Sequence, residues 1–121
     1  MIGSTRAIRV FARPVPTDLR AGFNRLAGLV QTDFNRDLMQ GDFFLFVNRT
    51  RTSAKVLLWD GTGLCIYSKK LSKGRFASLW SDGPIKPLTL TQAELALFIE
   101  GAMITLNTSL SPKEITRKRM P

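Results

Sequence analysis

A chain of 121 residues with 44% apolar side chains is long enough for one modest core and too apolar to be disordered. Charge is the unusual quantity: eighteen Lys and Arg against nine Asp and Glu give a formal +9, which favours a polyanionic partner, nucleic acid before an anionic membrane surface. The lack of histidine and the single cysteine remove Cys/His zinc sites, Ser-His-Asp triads and histidine acid–base chemistry together.

Taken in order, Ile8, Val10 and Ala12 alternate with Arg9, Phe11 and Arg13 and predict a short first strand closed by Pro14 and Pro16. Arg6, Arg9 and Arg13 read as a solvated strand edge that discourages aggregation, with direct ligand contact as the alternative. Thr17 has the chemistry of a helix N-cap, followed by Asp18 in the first turn. Leu19, Phe23, Leu26, Ala27, Val30 and Phe34 then share one face at helical spacing. They predict an amphipathic helix of roughly 17 to 18 residues, weakened by about 1 kcal/mol each at Gly22 and Gly28. Gly22 flanks the apolar stripe and would permit close backbone approach; Gly28 lies on the opposite side, where the sequence offers no reason for it.

The run from Phe43 to Phe76 is the centre of the chain. Phe43–Val47 is apolar without alternation, as expected of a strand covered on both faces. Ala54 to Trp59 and Leu64 to Leu71 predict two further strands joined at Asp60-Gly61-Thr62-Gly63, a strong hairpin signal. Cys65 sits between Leu64 and Ile66 and is expected to be a buried, inert thiol. Ser72-Lys73-Gly74 turns the chain into a further extended run, Arg75 to Trp80, followed by a loop from Ser81 to Pro87. Thr91 and Glu94 form a capping-box signature, with Leu90 and Leu95 as a hydrophobic staple and Gly101 as terminator. Ser111-Pro112-Lys113-Glu114 repeats the capping pattern before the basic Arg117-Lys118-Arg119.

The expected fold is therefore a single α+β domain: an antiparallel sheet of about four or five strands, with an N-terminal amphipathic helix and a C-terminal helix packed on one side of it. Residues 1–105 would form the domain, and 106–121 a basic tail, mobile or a short helix. No apolar run approaches the roughly 20 residues that cross a bilayer, and the first residues lack the pattern of a secretory signal. No membrane association is expected, and the expected compartment is the cytoplasm.

The carboxylates do not suggest a metal site: Asp18 reads as a helix-start residue, Asp60 and Asp82 precede turn glycines, and Glu94 belongs to a cap. Gly61-Thr62-Gly63 lacks the lysine and the strand-to-helix context of a phosphate loop. Neither a cofactor nor a metal is expected. Trp59, Tyr67, Phe76 and Trp80 read first as core or cross-strand packing, with Tyr67 the best candidate for base stacking because it shares a face with Lys69. The positive signal is the cluster Arg49, Arg51, Lys55, Lys69, Lys70, Lys73 and Arg75, interrupted by one acid, Asp60. Such cations neutralise phosphates without exacting spacing, so these seven residues are the candidate nucleic-acid-binding site.

Several blocks carry a resemblance. Thr17-Asp18-Leu19-Arg20-Ala21-Gly22-Phe23, Leu45-Phe46-Val47-Asn48-Arg49 and Lys55 through Gly63, followed by Tyr67-Ser68-Lys69-Lys70-Leu71, Gly74-Arg75-Phe76, Leu88-Thr89 and Ile99-Glu100-Gly101, together resemble the TnpB-type accessory proteins. These come from the second reading frame of insertion-sequence family sixty-six transposons. The resemblance spans roughly residues 6 to 104. It departs from the family pattern at Ala77-Ser78-Leu79-Trp80, where a Trp-Pro pair is usual. It implies a non-catalytic accessory factor of DNA transposition in bacteria, working beside a separate catalytic transposase, with no family catalytic residue to carry over. The expected partners are DNA at the element ends and the co-encoded transposase proteins; the alternative is a protein-interaction module that docks on the transposase, or on itself, without touching DNA.

Overall fold

A computed structural model describes residues 7–20, 22–80 and 88–101. It contains five strands and two α-helices: β1 (Val10–Ala12), α1 (Phe23–Phe34), β2 (Phe43–Val47), β3 (Ser53–Trp59), β4 (Leu64–Lys70), β5 (Leu88–Leu90) and α2 (Gln92–Ile99). A single 3₁₀ turn, Leu38–Gln40, precedes β2. The strands form one sheet in the order β4-β3-β2-β1-β5. The class is α+β, as the sequence predicts, but the sheet is mixed: β1 runs parallel to β2, and the other neighbours are antiparallel. The intervening α1 is the cause, because a helical crossover returns the chain in its original direction.

Phe43–Val47 occupies the middle of the sheet, and its lack of alternation reflects cover on both faces. On one face Phe44 and Phe46 pack with Phe11, Leu57 and the α1 residues Leu26 and Val30. On the other, Leu45 and Val47 join Val10, Ala12, Ala54, Val56 and the α2 residues Leu95 and Phe98. The two helices therefore lie on opposite faces, not on one as the sequence led us to expect. Aromatic contacts tighten both layers. Phe34 meets Phe44 edge-on at 5.3 Å, and Phe76 stacks on Phe98 at 5.1 Å, geometries worth about 0.5–1.5 kcal/mol each beyond area burial.

The first helix is shorter than its periodicity predicts, twelve residues beginning after Gly22. Thr17 does not cap it. Its N–H instead donates to the Val47 carbonyl at 2.9 Å, and its hydroxyl accepts from the Arg13 guanidinium at 3.1 Å. Arg13 also bonds the Pro16 carbonyl and forms a 2.7 Å ion pair with Asp33, so residues 13–17 bend beside β2, tied to it at the Leu45 and Val47 carbonyls. Phe23, at the new helix start, is exposed, and Asn35 ends α1 in the left-handed region with φ 52°. Nothing approaches a Cβ built at Gly22 or Gly28, so neither glycine serves close packing. Arg9 and Arg13 do not guard an edge, because β1 lies between β2 and β5; Arg9 donates its backbone N–H to the buried Asp42 carboxylate at 3.1 Å and pairs with it through its guanidinium at 3.5 Å. Arg6 is outside the described residues.

The capping box forms as expected: Thr91 Oγ1 accepts from the Glu94 N–H at 3.0 Å, and Glu94 Oε1 accepts from the Thr91 N–H at 2.8 Å. Gly101 follows α2 with φ +84° and returns its N–H to the Phe98 carbonyl. The extended run Arg75–Trp80 is not a strand. Phe76 and Leu79 instead plug the α2 face, and the fifth strand is Leu88–Leu90, antiparallel to β1. Cys65 is half-buried, not buried; its Sγ donates to Asp60 at 3.5 Å, and desolvation followed by the Asp60 carboxylate pushes the thiol above its ordinary pKa. The loop from Ser81 and the tail from residue 106 lie outside the described residues.

Two outcomes follow from these local geometries. Gly28→Ala, in the interior of α1 with open space at the new methyl, should stabilise the domain by about 0.5–1 kcal/mol in urea unfolding. The Asp60 carboxylate accepts the Thr62 and Gly63 N–H groups, which hold its pKa at about 2 against an ordinary 3.8. Its contribution to the β3–β4 hairpin is therefore complete above the ordinary value and lost as pH falls towards about 2. An NMR titration should give the Asp60 carboxyl a midpoint near 2, with the Thr62 and Gly63 amide shifts moving in step.

Candidate functional site

Three chain segments meet at one end of the sheet. The β2–β3 connection (residues 48–52) and the turn after β4 (residues 71–75) are tied by the Leu71 N–H to the Thr52 carbonyl at 2.8 Å and the Phe76 N–H to the Arg51 carbonyl at 2.7 Å. The run before α1 joins them through the Thr17–Val47 bond. Asn48 organises the β2–β3 connection, its side-chain oxygen accepting from the N–H groups of Thr52 and Ser53 at 2.9 and 3.1 Å. This local closure lets Arg51 adopt φ 60°, unusual for a residue with a side chain.

The seven predicted cations divide by what holds them. Arg49, Lys70, Lys73 and Arg75 are exposed at this end of the sheet, and none has an ion pair or side-chain hydrogen bond among the described residues. The other three are anchored. Arg51 donates through its guanidinium to the Phe76 carbonyl at 3.0 Å, clasping the segment that plugs the α2-face core. Lys55 donates to the Leu19 carbonyl at 2.7 Å. Lys69 lies on the α2 face and donates to the Ile99 carbonyl at 2.8 Å, where a cation offsets the partial negative charge of the helix C-terminus. Lys55 and Lys70 share the opposite, α1 face, because their register partners there are Ser68 and Ser53. Tyr67 does share a face with Lys69 and is half-exposed, whereas Phe76 is fully buried and Trp80 packs against the core.

Between the run before α1 and the β2–β3 and β4 strand ends lies a groove of about 950 Å³, whose lining includes Thr17, Arg20, Arg49, Lys55, Ser68 and Lys70. Sequence reasoning missed Arg20. It stands on the groove wall, almost fully exposed, with its guanidinium on the Asp18 carboxylate at 2.8 and 3.0 Å. The Arg20 hydrogen bonds hold Asp18 at about 2, so the pair stays charged at neutral pH. The spacing Asp18-x-Arg20 was the available signal, but it read as part of a helix that begins later. The acid on the groove wall, Asp18, is already occupied by Arg20, and Asp42 and Asp60 sit at the opposite end of the sheet, held by Arg9 and by the hairpin turn. The four free cations consequently keep their field.

The division is testable by stability. Arg51→Ala should cost about 1–2 kcal/mol in denaturant unfolding, since it strips the Phe76 carbonyl of its donor. Arg51→Gly should recover about 1 kcal/mol of that by relieving the left-handed backbone. Arg49→Ala should stay within about 0.5 kcal/mol of the parent.

With the geometry in hand, comparison with known proteins gives its kinship. Two uncharacterized proteins of Sinorhizobium fredii are similar to it: y4hO, 32% identical over 101 residues, which cover 84% of this chain and 86% of that protein, and y4jC, 31% identical over 103 residues, covering 84% and 85%. No solved structure matches the chain. The sequence pattern of the IS66 Orf2-like proteins matches residues 8–108, every described strand and both helices included. The chain belongs to the IS66 Orf2-like family, accessory proteins of DNA transposition.

Proposed function

We propose that this protein is a non-catalytic transposition factor that contacts DNA, alone or within the transposase–DNA assembly, through the cations at the β2–β3 end of its sheet. The observation that carries the reading is that Arg49, Lys70, Lys73 and Arg75 are exposed together without acidic partners among the described residues. Free cations on backbone-tied turns neutralise phosphates and give affinity with little base reading. Arg20 and Lys55 on the groove wall add charge once a polyanion competes for them, Arg20 leaving Asp18 and Lys55 leaving the Leu19 carbonyl. Arg51 and Lys69 belong to the scaffold in this reading, which narrows the seven predicted contacts. The contribution to transposition is positioning: a small basic body that holds the transposase against the element ends. No described helix is long and apolar enough to cross a membrane.

Four phosphate contacts imply that log affinity falls against log salt with a slope of about −3.6, so binding should weaken on the order of 100-fold between about 50 and 200 mM salt. Gel-shift titration of duplex DNA from the element ends measures this. Replacing Arg49, Lys70, Lys73 and Arg75 together by Ala should abolish retardation while leaving the unfolding midpoint in place. If the parent protein fails to retard DNA at about 50 mM salt, yet still associates with the transposase after nuclease treatment, DNA contact is wrong and a purely protein-binding role replaces it.

A further inference from the structure

The two edges of the sheet are unlike. β5 is three residues long, which by itself limits what can pair with it, whereas β4 runs seven residues, Leu64–Lys70. The hydrogen bonds from the Asp60 N–H to the Gly63 carbonyl and from the Leu71 N–H to the Thr52 carbonyl fix the phase of the β3–β4 ladder. With the observed register, Cys65, Tyr67 and Lys69 exchange main-chain bonds with β3, and Leu64, Ile66, Ser68 and Lys70 turn theirs outward. No described strand meets them. Free edges are normally guarded by proline, a bulge or lysine. β4 has no proline, Lys69 is drawn off to the Ile99 carbonyl, and only Lys70 at the strand's end remains. Its middle is uncharged and carries the half-exposed Tyr67, beside an apolar groove of about 380 Å³ lined by Val56, Leu58, Leu95 and Ile99.

We infer that β4 pairs antiparallel with β4 of a second copy of this chain, centred on Tyr67. In that register all four outward residues find partners: Leu64 with Lys70 of the second copy, Ile66 with Ser68, and the two reciprocal pairs. Tyr67 stands directly opposite its own counterpart, in the closer, non-hydrogen-bonded type of pair. Charge selects this orientation and this occupant. One end of β4 carries Asp60 and the other carries Lys70 and Lys73, so antiparallel pairing sets the acid of each copy near the cations of the other. A parallel arrangement would set lysine against lysine. The twofold axis then runs perpendicular to the sheet, and both α1 faces look the same way. The two basic strand ends are offset by about 20 Å along the strands, six residues at strand rise. Self-pairing stands independently of DNA contact.

Sedimentation or light scattering of the full chain tests the pairing. The mass should double from 13.5 kDa as concentration rises through about 1–100 µM, the range of a small interface. Ser68→Pro removes only an outward N–H, leaves the β3 ladder intact, and should weaken the dimer at least about tenfold. Should that variant misfold, cross-linking decides independently. On a Cys65→Ser background, Tyr67→Cys should form an interchain disulfide on mild oxidation, and Thr62→Cys, far from the axis, should not. A parent chain that stays monomeric across this range, or a Tyr67→Cys variant that resists oxidation to dimer, would overturn the inference. So would a monomer whose β4 edge instead takes up a strand of a transposase protein.

Discussion

The fold depends on burying Phe43–Val47 on both faces at once. A strand with large apolar side chains above and below must be covered twice, and its main-chain groups must be paired on both sides because water does not reach them. The chain meets the second need with β1 and β3. It meets the first with α1 on the Phe44–Phe46 side, and with α2 and the Phe76–Leu79 plug on the Leu45–Val47 side. The parallel β1–β2 pair is part of this solution. A twelve-residue helix spans about 18 Å, enough to return the chain along one face so that the next strand runs beside the first. Loosening either cover exposes one of two aromatic clusters, which makes the two layers energetically interdependent.

The same constraint distributes charge. Arginines near β1 serve construction: Arg13 closes the turn before α1 on Asp33, and Arg9 satisfies the buried Asp42. These uses consume acids at the β1 side of the sheet. The hairpin acid Asp60 is spent on its own turn. Among the described residues, the cations at the β2–β3 end of the sheet meet carbonyls or solvent in place of carboxylates. Charge left over from structural duty has a longer reach than charge paired locally, because a neutralised pair presents only a dipole to a distant phosphate.

Where one physical signal acted alone, the sequence was legible. The uninterrupted Phe43–Val47 run, the Asp60–Gly63 turn and the Thr91–Glu94 box each declare a local structure that tertiary contacts do not contest. Two signals competed where the reading failed. Thr17 followed by Asp18 has cap chemistry, but the Arg13 guanidinium and the Val47 carbonyl claim Thr17 first. Arg75–Trp80 has strand composition, yet the Arg51 clasp fixes it where no described strand pairs with it. Leu88–Leu90 is short enough that the capping box after it masks it. The side of the sheet taken by each helix was not legible, because periodicity gives a helix its apolar stripe without saying which face receives it. Among the cations, sequence could gather seven but not separate the anchored from the free, since that difference lies in carbonyls at Leu19, Phe76 and Ile99, distant in the chain.

That separation bears on what a basic surface of this kind can do. A guanidinium fixed on a carbonyl, such as Arg51, gives that bond up only by leaving the acceptor bare, so it contributes little to a passing phosphate. A free lysine or arginine on a tied turn surrenders only side-chain rotamer freedom and hydration. If the protein contacts DNA as proposed, affinity should arise from few residues, should respond strongly to salt, and should carry little geometric demand on the DNA sequence. Lys55 lies between these cases. Its 2.7 Å bond to the Leu19 carbonyl ties the run before α1 to the sheet, so recruiting it to a phosphate would loosen the wall of the groove that the phosphate enters. In the proposed DNA-contact reading, binding through Lys55 would thereby be coupled to the position of Arg20, one residue beyond Leu19 on the same wall, whereas binding through Lys70 and Arg75 would not.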